Sequence, residues 1–127
     1  AIAAALDELS LPSTAMSLAG FSQGGMMSLH CGLRHKTPLA AIISFSGMLL
    51  LDEDLVEKDQ GVSYPPVLLV HGTEDEVVPF SFQLDSRNRL KQRLIMVETF
   101  ECNGLGHGID PDGLTAAIDF LAKYLPV

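Results

Sequence analysis

Thr14-Ala15-Met16-Ser17-Leu18-Ala19-Gly20-Phe21-Ser22-Gln23-Gly24-Gly25-Met26-Met27 is the stretch that sets how the rest of the chain reads. Thr14 to Phe21 is short, small and apolar, and reads as a strand ending in a glycine-bearing turn. From Gln23 to Arg34 the spacing changes: Met26, Met27, His30 and Leu33 recur at helical intervals. Between the two lies Gly20-Phe21-Ser22-Gln23-Gly24, a G-x-S-x-G pattern. A serine lifted clear of a sheet needs a sharp strand-to-helix turn. Small residues two before and two after it keep neighbouring backbone out of the way. The helix that follows favours negative charge at its N-terminus, beside the serine.

Outward from this turn the chain alternates two kinds of segment. Ala1 to Leu9 carries Ile2, Leu6 and Leu9 at helical spacing, and Pro12 ends it. Leu39 to Phe45 is a nearly continuous apolar run between Pro38 and Gly47. Pro66 to Val70 is another, between a proline pair and His71-Gly72. Pro79 opens a helix running to about Gln92, and Leu94 to Phe100 has the β-branched residues of a strand. Asp110 and Pro111 supply an N-cap and a first-turn proline for a last helix ending near Leu125. Strands that are apolar on both faces and separated by helices predict an α/β fold, a parallel sheet with helices on both faces. Residues 1–127 are expected to form one domain. Leu51 to Tyr64 is the least regular stretch. Its run Asp52, Glu53, Asp54, Glu57, Lys58, Asp59 reads as a solvated surface helix or loop.

Composition narrows the function classes. The 127 residues are 47% hydrophobic, enough for one ordinary core. A net charge of −8 repels phosphate backbones and argues against a nucleic-acid partner. The longest mostly apolar stretch, Leu39 to Leu51, is broken by Ser44, Ser46 and Gly47 and falls short of the ~20 residues a bilayer span needs. No membrane insertion is expected. No basic segment precedes an apolar one at the start, so no signal peptide is read and a cytoplasmic location is expected. Cys31 and Cys102 make no disulfide framework and read as reduced thiols. His30, His35, His71 and His107 show neither HExxH nor paired-cysteine spacing, so no metal is expected.

A serine hydroxyl needs a base within hydrogen-bond reach, and the base needs an orienting carboxylate. In sheets of this type the chain order is Ser, then Asp or Glu, then His. The third strand runs into His71-Gly72-Thr73-Glu74-Asp75-Glu76-Val77-Val78-Pro79. Asp75 sits mid-loop and is the expected acid, with Glu74 and Glu76 as exposed neighbours. The fourth strand is followed by Asn103-Gly104-Leu105-Gly106-His107-Gly108. His107, flanked by glycines at a loop tip, is the expected base, because such a loop can fold close over a facing serine. His71 is expected to support the acid loop, and His30 and His35 to be structural. Ser46 reads as a turn residue, and Ser17 and Ser28 fall inside periodic elements. The backbone N–H of Gln23 is the expected oxyanion donor. Met48 and Leu49, with Leu50 and Leu51, either line an acyl site or form a buried connection.

With these sites placed, the sequence resembles the phospholipase/carboxylesterase family of α/β-hydrolases, which includes the acyl-protein thioesterases. The resemblance rests on Ala19-Gly20-Phe21-Ser22-Gln23-Gly24-Gly25-Met26, Phe45-Ser46-Gly47, and Pro66-Val67-Leu68-Leu69-Val70-His71-Gly72. It continues through Asp75, Val77-Val78-Pro79 and Gly106-His107. It implies a triad of Ser22, Asp75 and His107, with no metal and no organic cofactor. It implies small esterases acting on carboxylic esters or acyl thioesters, often cytosolic and often dimeric. Members of the family carry further strands and a His-Gly-rich oxyanion loop before the nucleophile strand. By that comparison the chain corresponds to the C-terminal part of the fold, lacking the N-terminal strands. The edge Thr14 to Leu18 is then expected to be open, and to be filled by an upstream segment or another copy of the chain. Two other classes fit less of the sequence. A non-catalytic interaction module would explain the absent oxyanion loop. A dienelactone-type lactone hydrolase would carry cysteine where Ser22 stands.

Overall fold

The computed structural model describes residues 1–55 and 63–126. An opening helix α1 (Ile2–Leu9) leads through a short 3₁₀ turn (Ser13–Ala15) into strand β1 (Ser17–Phe21). Helix α2 (Gln23–Arg34), β2 (Ala41–Phe45), β3 (Val67–Gly72), α3 (Ser81–Gln92), β4 (Val97–Cys102) and α4 (Pro111–Tyr124) follow. The four strands form one parallel sheet in the order β1-β2-β3-β4. The register places Phe21 beside Phe45, Phe45 beside Val70, and Gly72 beside Cys102. The expected architecture is therefore the observed one.

Parallel strands laid down in order need crossovers of one hand, which drop onto one face of the sheet. Accordingly Leu29 and Leu33 of α2 and Leu90 of α3 share a core with Ile42, Val67 and Leu69. Alternate residues point the other way. Ala41, Ile43, Phe45, Leu68 and Val70 pack against Ala117 and Phe120 of α4 on the opposite face. β2 and β3 are buried along their whole length, whereas β1 and β4 are mostly half-buried or exposed. That contrast explains why the two middle strands read as unbroken apolar runs.

The element boundaries shift where local conformation intervenes. Thr14 and Ala15 belong to the 3₁₀ turn, closed by Ala15 N–H donating to Pro12 O, so β1 begins at Ser17. Pro79 and Phe80 form a turn that precedes α3, with Phe82 N–H donating to Pro79 O. Leu94 has φ 59°, a left-handed conformation just past the end of α3, and a strand cannot start there. β4 therefore begins at Val97.

Past β2 the chain runs over α2 and α3 and is held by arginines. Arg34 of α2 donates to Leu51 O and both oxygens of Asp54. Arg89 of α3 donates to Leu49 O and Leu50 O and pairs with Asp52 at 2.9 Å; Arg93 donates to Leu55 O. Asp52 to Leu55 is a turn, and the remainder of the acidic run, Glu57 to Asp59, lies outside the described residues. Of the two readings of Leu49, the packing supports the buried connection: its side chain is 1% exposed within the α2–α3 core and its N–H donates to Ser86 Oγ.

Candidate active site

The three singled-out side chains all leave carboxyl ends of parallel strands, where loops converge. Ser22 directly follows β1. Its φ of 56° and ψ of −117° give the sharp reversal from strand to helix. Ser22 N–H donates to Phe45 O at 2.7 Å, and Met26 N–H closes the first helical bond onto Ser22 O. The glycines explain how so tight a turn is possible. A Cβ on Gly20 would lie 2.2 Å from the carbonyl oxygen of Gly24, and one on Gly25 would lie 2.5 Å from Ser44 Oγ. Gly24 has open space at the same position. The second close approach thus falls on Gly25, not on the second glycine of the pattern; the Gly24-Gly25 pair was its only trace in the sequence. Gln23 is the first residue of α2, so its N–H is among the first-turn amides with no intrahelical acceptor.

Asp75 lies three residues beyond β3 and its side chain is fully buried. Its Oδ1 accepts from Val77 N–H at 2.9 Å and Val78 N–H at 2.8 Å. Its Oδ2 lies 2.8 Å from His107 Nδ1. Burial pushes the carboxyl pKa up, but the hydrogen bonds from His107, Val78 and Val77 outweigh it and hold the group below the usual carboxylate range. Glu74 and Glu76 are exposed.

His107 stands five residues past β4, on a loop that turns back over the neighbouring strand. Two loops are stitched together to bring it there. Gly104 N–H donates to Thr73 Oγ1 at 2.8 Å, and Glu74 N–H donates to Leu105 O at 2.9 Å. A Cβ on Gly72 would sit 2.3 Å from Leu105 O and 2.4 Å from Gly106 O, so only glycine lets the loops nest. His107 Nε2 lies 3.0 Å from Ser22 Oγ, and the ring tilts against Phe21 with centroids 4.8 Å apart. Ser22, His107 and Asp75 therefore form one hydrogen-bonded line between residues 85 and 32 positions apart in sequence. With Nδ1–H donated to the carboxylate, Nε2 is left as the acceptor facing the hydroxyl.

The chain belongs to the phospholipase/carboxylesterase family. The family model matches residues 1–125. Acyl-protein thioesterase 1 of Neurospora crassa is 36% identical over 119 residues, covering 91% of this chain and 49% of that protein. The crystal structure of esterase PE8 superposes with a TM-score of 0.89 at 40% identity, over 98% of this chain and 57% of that one. Acyl-protein thioesterase 2 of Zea mays shares the fold, with a TM-score of 0.77 at 24% identity over 98% of this chain and 63% of that one. The chain spans about half the length of the curated relatives it matches.

Other residues of this family member take places that the sequence only hinted at. Ser46 has φ 53° and is fully buried, and its Oγ donates to Gly108 O at 3.2 Å, tying the end of β2 to the histidine loop. A lone serine after a strand gave no sign of a partner 62 positions away. His71 is buried in β3 beside the acid. His30 is half-buried in α2 and His35 lies just beyond it, both away from the Ser22–His107–Asp75 line. Met48 is half-buried. Among the described residues, no three His, Cys, Asp or Glu side chains cluster so as to hold a metal ion. No described helix is long and apolar enough to cross a membrane.

Proposed function

We propose that this chain carries the catalytic machinery of a serine hydrolase acting on carboxylic esters or acyl thioesters. The observation that carries the reading is the unbroken line from Ser22 Oγ through His107 to buried Asp75. Ser22 Oγ attacks the acyl carbonyl carbon while its proton passes to His107 Nε2. Asp75 holds the imidazole in the required tautomer and stabilises the imidazolium. The N–H of Gln23 donates to the oxyanion at the helix N-terminus. The tetrahedral intermediate collapses, the bond to the leaving oxygen or sulfur breaks, and that atom takes the proton from His107. Water, deprotonated by His107, then attacks the acyl-serine, and the proton returns to Ser22 as the acid leaves.

The names of the relatives support this class of substrate: they are thioesterases and an esterase. Short-chain acyl esters, lysophospholipids and acyl thioesters are the substrates to compare, with Met48 as the proposed wall of the acyl site. No metal or organic cofactor enters the proposed steps. The proposed setting is the cytoplasm, where free thiols such as Cys31 and Cys102 persist. The oxyanion needs a second donor, which we place in the loop that the family carries before the nucleophile strand, outside these 127 residues. Without that donor, turnover should fall by about 10²–10³-fold.

A fluorophosphonate probe, which Ser22 Oγ would attack with loss of fluoride, tests the reading. Labelling of the parent and none of Ser22→Ala is the expected result. Equal labelling of both would remove Ser22 from the mechanism. A folded parent that never labels would favour an interaction module built on the same fold.

A further inference from the structure

Asp75 is faced by two imidazoles, and the mechanism above uses one of them. The other, His71, is the fifth residue of β3 and is 2% exposed. Its Nε2 lies 2.7 Å from Val78 O and 3.4 Å from Asp75 Oδ2. A carbonyl oxygen only accepts, so the proton of His71 sits on Nε2 and is donated to Val78 O. The contact with Oδ2, at 3.4 Å, is longer than an ordinary hydrogen bond. Phe80, just before α3, meets the His71 ring edge-on at 6.0 Å and limits its rotation.

The bond from His71 closes the turn that serves the acid. Val78 is itself buried, so its carbonyl has no ready access to water. The same residue's N–H, with that of Val77, supplies both donors to Asp75 Oδ1. Those two donors fix the rotation of the carboxyl group, and the rotation aims Oδ2 at His107 Nδ1.

We propose that His71 is a positioning residue for Asp75: its Nε2–H anchors Val78, and the anchored turn holds the carboxylate in line with His107. This deepens the serine-hydrolase reading and rests on it for its effect on rate, though not for its effect on geometry. Without the Nε2 donor, the 75–78 turn opens, Oδ1 loses its donors and Oδ2 swings off the imidazole.

The test joins two measurements on the 127-residue chain. Long-range imidazole ¹H–¹⁵N spectra of the parent should show the His71 proton on Nε2; a proton on Nδ1 alone would overturn the proposal without any variant. In His71→Gln, the side-chain amide reaches to the same place and can donate in the same direction. In His71→Leu, no donor remains. The downfield Nδ1 proton of His107 should persist in His71→Gln and be lost or displaced upfield in His71→Leu. Labelling by fluorophosphonate should slow by about 10–100-fold in His71→Leu, the effect of misplacing a catalytic group by about an ångström, and recover most of that in His71→Gln. An unchanged His107 proton and an unchanged rate in folded His71→Leu would sink the inference. If the parent carries the His107 proton but never labels, the hydrolase reading fails and the geometric role of His71 is still decided by the spectra.

Discussion

Ser22 is a serine at positive φ, a conformation that costs of order 1–3 kcal/mol and persists only where its surroundings hold it. The holding is done by neighbours without side chains, which gives a sharp contrast between two glycines, Gly20 and Gly24. Gly20→Ala should destabilise by about 1–3 kcal/mol or more, because its methyl would strike the backbone of α2. Gly24→Ala, in open space within the same helix, should be stabilising by up to about 1 kcal/mol. Urea unfolding of the two variants checks this directly; equal losses would mean that the turn is not packed as described. Asp75 yields a pH dependence. Its folded pKa lies below the unfolded value, so the stability it contributes is present above the unfolded value and is lost as pH falls through the folded one. Asp75→Asn should flatten the acid side of the stability curve. It should also slow acylation by roughly 10⁴-fold, since the amide favours the wrong imidazole tautomer. A Ser22 labelling rate in Asp75→Asn near that of the parent would contradict the role assigned to the carboxylate.

At the scale of elements, the helices differ in how they are secured. α4 begins with Asp110 accepting from Gly113 N–H at 2.7 Å, with Pro111 in its first turn. Asp110→Ala should cost about 1 kcal/mol, and Asp110→Asn much less. This start was readable in advance, because capping chemistry is local. The link after β2 is another matter. Three arginines, one in α2, one in α3 and one just past the end of α3, converge on residues 49–55, and nothing local around them announces it. The hydrogen bond from Arg89 is the chief cause of the lowered pKa of Asp52, working against its partial burial. Arg89 and Asp52 are both partly exposed, and solvent screens part of their attraction. Arg89→Lys keeps the charge but loses the fork that reaches two carbonyls and a carboxylate at once. It should therefore lower stability by about 1–2 kcal/mol in urea titrations, a loss that a charge-only account would not produce.

Over the whole molecule, burial falls from the middle of the sheet to its sides. Amide exchange should accordingly be slowest in β2 and β3 and faster in β1, which pairs with β2 alone among the described residues. Protection of β1 equal to that of β2, lost on dilution, would show a second copy covering that edge. The sequence by itself determined the α/β class and the order of elements, and singled out the three residues that the structure brings into one hydrogen-bonded line. Each of these leaves a short-range mark: a period of two or 3.6, a proline or glycine stop, a histidine set among glycines. The tertiary structure alone decided that Gly25 and not Gly24 is the crowded position, and that Leu49 is core. It alone showed that Ser46 holds the histidine loop and that Val78 O is the partner of His71, which the sequence marked only as a support of the acid loop. Those are contacts between segments 19 to 62 residues apart, or between a side chain and a backbone carbonyl. Carbonyls are the same in every residue, so no residue type records which of them a buried donor will meet until the chain has closed around it.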